Sequence, residues 1–440
     1  MLSRINTYLK INSLNLGKNL FLFGIFFLPS ALPIGIILLL VSLCISFKEK
    51  KNINVFNKWD LSFLICITLM LISSLNVCFI NTPDELKEYN KSIILLNLFN
   101  WIPPIIIYFG VQNYLLNFRD RILFEKFLIA GTFPVIISCV MQKFFNIYGP
   151  FETFFGTIVW FNKPIIVGVS GLFSNANYLG MWLTLCLPFS LVRFNLENNN
   201  FKNKIFLYSF NLLLIYFTIE TNSRNALFGI FLSLLLVYNF KKIISFCFFL
   251  FLGYLFFEYF IKGITNINFS NLFDNNVFSK FQGFDKDVKI PRLAIWKGTL
   301  SLIFERPIFG WGATTFAHLY KQNEYLFNPF INMNYQHSHN LIFELAYTFG
   351  IPLSLLYTYT VSSIFIPAIK KIYYLKNFFD SYNYKPWIAS FIIFLFAHLS
   401  DVTYYDGKIS ILAAILFAGV RNINNQMNEL HNKENKNLIN

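Results

Sequence analysis

Charge is what this sequence has least of. Only 13% of its 440 residues are Asp, Glu, Lys or Arg, whereas 55% are hydrophobic and 56 are Phe. A soluble protein of this length could not hide so much apolar surface, so the class is an all-α polytopic membrane protein. Acids are scarcer than bases, and the net charge is +14. That excess does not point to nucleic acid. Lys and Arg sit in short loops between apolar runs, the pattern that orients membrane helices. Cysteine pairs are missing too. Cys44, Cys66, Cys78, Cys139, Cys186 and Cys247 all lie in or at the ends of apolar runs, and no C-x-x-C occurs. This excludes a zinc-finger signature and a disulfide framework. There is also no H-E-x-x-H. A cleaved signal peptide is not expected: the apolar run after Arg4, Lys10 and Lys18 is too long and lacks a small-residue cleavage site.

What is present is a series of apolar blocks. A helix needs about 20 apolar residues to cross the hydrocarbon core. Asn19 to Phe47 is overlong for one span and carries Pro29 and Pro33 near its middle. Both flanks are basic, so the block reads as a hairpin of two short helices kinked at the prolines. Further spans are expected at Leu61–Ile80, Ile93–Asn113, Ile122–Gln142, Asn175–Val192, Ile205–Thr221, Asn225–Asn239, Ile243–Ile261, Leu341–Ile369, Trp387–Leu399 and Ile409–Val420. The total is about twelve, with both termini inside. Arg119, Arg121, Lys126, Arg193, Lys202 and Lys204 then fall inside, whereas Asp84, Glu85, Glu88, Asp401 and Asp406 fall outside.

This topology divides the chain into an N-terminal bundle over 1–261 of about nine spans, an outer loop domain over 262–340, and about three C-terminal spans over 341–421. Residues 422–440 are Asn- and Lys-rich with little to bury, and are expected to be a disordered tail inside. A second outer segment runs from Lys143 to Ser174.

The long outer loop holds the chemistry. Pro291 suits the first turn of a helix, and Arg292, Ile295, Trp296, Thr299 and Ile303 mark one face. Arg306-Pro307, then Gly310 and Gly312, end it. A second short helix is expected over Thr314–Tyr325. His337-Ser338-His339-Asn340 follows. Two His two apart point to opposite faces of a helix, which argues against a metal site, while a neutral imidazole suits a general base. Asp285-Lys286-Asp287 is a D-x-D, but three residues in a polar loop say little. Arg224, in T-N-S-R-N-A at the outer junction of two spans, is costly there unless it faces a cavity or headgroups. His398, Asp401, Tyr404, Tyr405 and Asp406 cluster at another outer end, and Gly171 to Asn177 open a span from the same side. Two arginines at an outer membrane surface suit a lipid diphosphate, because guanidinium forks bind phosphate oxygens bidentately. A nearby histidine could take a proton from an incoming hydroxyl. The combination describes group transfer from a lipid diphosphate.

Four stretches resemble the O-antigen ligase and polymerase superfamily of bacterial envelopes. They are H-S-H-N-L-I-F-E-L-A-Y-T-F-G-I-P, R-L-A-I-W-K-G-T-L-S-L-I-F-E-R-P-I-F-G-W-G, T-N-S-R-N-A and G-L-F-S-N-A-N-Y-L-G. The C-terminal H-L-S-D-V-T-Y-Y-D-G-K-I-S is most similar to cyanobacterial members, some of them labelled inorganic-carbon transporters. One departure is Leu353, where the family often has a second Gly. The resemblance implies a metal-independent glycosyltransferase of the inner membrane with its site facing the periplasm and no cofactor. The donor it implies is an undecaprenyl-diphosphate-linked glycan, and the acceptor is a hydroxyl of lipid A core or, in a polymerase, of another lipid-linked glycan. Membrane lipids are the surroundings, and no nucleic acid is involved. By this resemblance His339 matches the catalytic base, and Arg224 and Arg292 match the diphosphate-binding arginines. His337, Asn340 and Trp296 shape the site. A polymerase of the same superfamily and a membrane transporter are the alternatives. A transporter should carry charged or broken helices at mid-membrane.

Overall fold

The computed structural model describes residues 2–49, 58–153, 158–160, 165, 168–196, 201–238, 291–323, 335–374 and 378–439. These residues are overwhelmingly helical. The helices run α1 (Leu2–Phe27), α2 (Leu32–Glu49), α3 (Lys58–Leu75), α4 (Lys91–Leu96), α5 (Ile102–Val111), α6 (Phe118–Phe144), α7 (Ala176–Leu196), α8 (Phe201–Glu220) and α9 (Arg224–Val237). After the stretch outside the described residues come α10 (Pro291–Glu305), α11 (Phe316–Gln322), α12 (Leu341–Phe349), α13 (Ile351–Tyr374), α14 (Phe378–Ala397) and α15 (Gly407–Ile439). A short antiparallel pair, β1 (Phe151–Thr153) with β2 (Ile158–Trp160), follows α6.

The Asn19–Phe47 block folds as two helices. α1 stops at Phe27, the chain turns over 28–30, and α2 packs back along α1. Pro33 takes an early position of α2, where its missing N–H has no helical partner to lose.

Six stretches are long and apolar enough to cross a membrane by length and composition. They are Leu32–Glu49, Lys58–Ile80, Lys91–Tyr114, Phe118–Phe144, Ala176–Leu196 and Ile351–Lys370. Ser13–Phe27, Arg224–Val237 and Tyr384–Ala397 are shorter apolar helices. The expected span Ile243–Ile261, the Asp285-Lys286-Asp287 triplet and much of the outer loop lie outside the described residues.

α7 is the axis of the bundle. Every residue from Leu179 to Val192 is buried, and α6, α8, α9 and α14 pack around it. Peripheral helices instead point large apolar groups outward: Ile37 and Leu40 on α2, Phe206 and Leu212 on α8, Phe228 and Phe231 on α9. A helix facing hydrocarbon needs no polar outer face. Two buried ion pairs tie the bundle. Arg421 donates to Asp60 at 2.7 Å, and Asp60 also accepts from the Tyr108 hydroxyl at 3.0 Å and the Gln112 amide at 3.2 Å. Arg193 pairs with Glu125, which also accepts from the Trp387 indole at 3.2 Å.

Two expectations are corrected. The span Leu341–Ile369 is not one helix. It breaks at Gly350, whose φ is +95°, so α12 lies apart from α13. A Cβ at Gly350 would sit 2.0 Å from the Ile308 carbonyl oxygen, so only glycine allows that approach. The tail expected to be disordered from 422 is helical to Ile439. Asn422, Ile423 and Asn424 are buried, and the Asn424 amide donates to the Ile364 carbonyl of α13 at 2.5 Å. Packing against neighbours holds the start of this segment, where composition suggested there was nothing to bury.

α10 and α11 have a core of their own. Ile295, Leu302 and Ile303 of α10, and Phe316, Leu319 and Tyr320 of α11, pack on Val77 and Ile94 and on Ala346 and Tyr347 of α12.

Candidate active site

α10 starts at Pro291 and ends at Glu305, close to the expected bounds, and the second short helix covers Phe316–Gln322. The P-x-x-G-x-G loop between them docks α10 on the α12–α13 break. Trp311 N–H donates to the Tyr347 carbonyl at 2.8 Å, Gly312 N–H to Thr348 at 3.0 Å, and Ile351 N–H to the Pro307 carbonyl at 2.7 Å. Gly310, at φ +64°, lies where a Cβ would come within 2.5 Å of the Tyr347 carbonyl oxygen. The sequence thus places Gly where backbone must meet backbone.

The turn before α12 carries the histidines. Asn340 is the N-cap: its side-chain oxygen accepts from Ile342 N–H at 2.9 Å and Phe343 N–H at 3.1 Å, and its amide donates to the Leu399 carbonyl at 2.9 Å. One residue earlier, His339 has φ +53°. That left-handed backbone is uncommon for a side chain with a Cβ and is held by its neighbours. Leu341 N–H donates to the His398 carbonyl at 2.9 Å, so the turn is pinned to the end of α14.

Two acids fix the turn. Glu344, 1% exposed, accepts from Ser338 N–H at 2.8 Å and from the Tyr405 hydroxyl at 2.5 Å. Burial pushes its carboxyl above the usual range, and the Ser338 and Tyr405 donors partly offset this. Asp401 lies 3.0 Å from Nδ1 of His339 and also accepts from Val402 N–H at 2.9 Å and the Asn177 amide at 3.4 Å. Burial alone would raise the Asp401 carboxyl, but the hydrogen bond and charge of His339, with His337 and Val402 N–H, bring it below the usual carboxylate range. An ionised carboxylate only accepts, so a neutral His339 ring beside it holds its proton on Nδ1 and its lone pair on Nε2.

His337 lies beside this pair, its ring centroid 4.3 Å from that of His339 and stacked 5.8 Å from Tyr405. Burial, with His339 and Arg292 near it, pushes the His337 imidazole down to about 4. It is neutral at pH 7. Arg292, in the first turn of α10, thus acts electrostatically on His337, and on Tyr335 as well.

Trp296 sits one turn further along α10, its ring edge-on to Phe343 at 6.1 Å, and its indole N–H has no partner among the described residues. Arg224 is exposed in the first turn of α9. Its neighbour Asn225 accepts from the Ser400 hydroxyl at 2.8 Å, next to Asp401. Among the described residues no hydrogen bond or ion pair joins Arg224 or Trp296 to His339.

The Gly171 to Asn177 stretch converges here as expected. Lys408 donates to the Leu172 carbonyl at 2.7 Å and lies over the Phe173 ring at 4.3 Å. A cavity of about 290 Å³ lies between α9 and α14, lined by Phe228, Leu232, Ile393 and Phe396, with Asn225 and Ser400 among its polar groups.

Sequence reasoning assigned no role to Glu344, and it grouped Asp401 and Tyr405 only loosely with the outer cluster. The signal for Glu344 was a lone acid in the apolar run L-I-F-E-L. The helix-face argument against metal also fails. Residues 337–340 are a turn, and donor atoms of His337, His339 and Asp401 lie within 4.8 Å of one another. Two imidazoles and a carboxylate are a donor set that a borderline cation such as zinc accepts, although His339 would have to release its Nδ1 proton or turn its ring.

The family model described as O-antigen ligase matches residues 210–358, about a third of the chain. This segment carries an O-antigen ligase domain. The match supports the O-antigen ligase and polymerase superfamily for the chain, and with it a glycosyl-transfer enzyme in a membrane. It includes Arg224, Arg292, Trp296, His337, His339 and Asn340. It stops before Asp401 and Tyr405, which reach the O-antigen ligase domain only through the fold. No curated protein matches the chain.

Proposed function

We propose that the chain is an O-antigen ligase-like glycosyltransferase of the inner membrane, with its site on the periplasmic face of a bundle of about twelve spans. It moves a glycan from undecaprenyl diphosphate to a hydroxyl of a lipid A core sugar. The observation that carries this reading is the His339–Asp401 pair, which leaves Nε2 of His339 as the free base. As the acceptor oxygen bonds to the anomeric carbon, its proton passes to Nε2. The bond from that carbon to the phosphate oxygen breaks, and the diphosphate leaves with the electron pair. Asp401 stabilises the imidazolium that forms. Arg292 and Arg224 bind the diphosphate, and their fixed charge does the work that a metal does elsewhere. The cavity between α9 and α14, beside Arg224, gives the isoprenoid chain an apolar wall.

The test uses a host lacking its own ligase. Wild type should build long glycan ladders on lipid A core, and His339→Ala should build none while remaining folded in the membrane. A ladder with the mutant removes His339 as base. If undecaprenyl-linked glycan accumulates with both, the ligase reading fails there, and a polymerase-null host supplied with single repeat units tests the polymerase alternative.

A further inference from the structure

A second cavity lies away from the histidine turn. It measures about 430 Å³ and lies between α6 and α8, with Arg193 of α7 at its edge. Its lining is ordered by depth. Along α6 the stripe begins at Lys126 and reaches Ile129 and Phe133; along α8 it begins at Asn203 and reaches Phe206 and Leu207. Lys126 to Phe133 is two helical turns, a drop of about 10 Å. Phe133 and Phe206 meet at the deep end, ring centroids 6.2 Å apart, and both are more than 40% exposed. The groove is therefore open sideways toward hydrocarbon, cationic at one end and aromatic at the other.

The cations belong to the helix portions that charge bias places toward the inside. Lys126 is exposed, and no ion pair to it forms among the described residues. Arg193 is held by Glu125, which fixes the guanidinium at the edge of the groove. Lys204 lies nearby over the Phe194 ring at 5.7 Å. A zwitterionic lipid gains little from such a rim. A lipid with net negative charge gains attraction at the headgroup and keeps its chains on Phe133 and Phe206.

We propose that this groove is a binding site for an anionic phospholipid of the cytoplasmic leaflet, with its phosphate at Lys126 and Arg193 and an acyl chain along α6 and α8. The site is separate from the proposed transfer reaction and does not depend on it.

The test measures the melting temperature of the purified full chain in neutral detergent, and counts bound lipids by native mass spectrometry. The probes are dioleoylphosphatidylglycerol, dioleoylphosphatidylcholine and soluble glycerol 3-phosphate. Phosphatidylglycerol should raise the melting temperature more than phosphatidylcholine and give one retained adduct. Lys126→Glu should erase the difference, Lys126→Arg should keep it, and Lys58→Glu, on another helix, should not alter it. Equal effects of the two lipids, or an unchanged response in Lys126→Glu, would overturn the proposal. A shift produced by glycerol 3-phosphate alone would reduce the site to a phosphate site and overturn it as a lipid groove. If Lys126→Glu does not fold, Lys126→Gln reads the same comparison.

Discussion

Asp401 is the residue on which the proposed chemistry turns, and its contact with His339 is visible only in the fold. Its carboxylate fixes the tautomer of His339 from a position 62 residues further along the chain. Asp401→Asn keeps size and hydrogen-bonding capacity but offers an amide that can donate. Nδ1 of His339 then has reason to lose its proton, and Nε2 ceases to be the base. Glycan transfer by the purified protein should fall by about a hundredfold or more, as general-base losses do, with little change in donor affinity. A variant near full activity would mean that Asp401 only braces the turn.

At the scale of elements, the break between α12 and α13 makes the site. An unbroken helix from Leu341 would continue the span and leave nothing for the 307–312 loop to dock on. The break instead presents Tyr347 and Thr348 carbonyls to Trp311 and Gly312, and this sets α10, with Arg292, over the histidine turn. Gly350→Ala tests the arrangement. The left-handed φ alone costs about 1–3 kcal/mol with a Cβ, and the Ile308 carbonyl leaves no room for it. The variant should insert but lose thermal stability and transfer activity together. Wild-type behaviour would mean that the loop can yield without moving Arg292. Much of this region was legible in sequence. Pro291, Arg306-Pro307 and the glycines marked α10 to within a residue or two, because caps and breakers act locally. The break at Gly350 was not legible, because hydropathy runs through it without interruption and the cause is a backbone contact with Ile308, 42 residues earlier in the chain. Glu344 and the Asp401–His339 pair were hidden for the same reason. A polar group in an apolar run signals that it needs a partner, but not which one.

At the scale of the whole molecule, a transporter should carry charge at mid-membrane. Asp60 and Arg421 do not supply it. Both are buried, yet Asp60 stands in the first turn of α3 and Arg421 follows the apolar part of α15, so the pair closes the end of the bundle opposite the histidine turn. Composition could not foresee the pairing, nor that Asn422, Ile423 and Asn424 beyond it would be buried where a loose tail was expected. Burying two charges is costly, and their attraction largely repays it only while both are present. Arg421→Met should therefore cost about 3–5 kcal/mol, because Asp60 loses the cation that offsets its burial. Adding Asp60→Asn removes the charge while its amide oxygen still accepts from Tyr108 and Gln112. The double variant should recover most of the loss in melting temperature. Recovery would identify the ion pair as a fastening whose value lies in mutual neutralisation rather than in net attraction. A double variant as unstable as Arg421→Met would show instead that the guanidinium matters through its packing and its bond to Asn422.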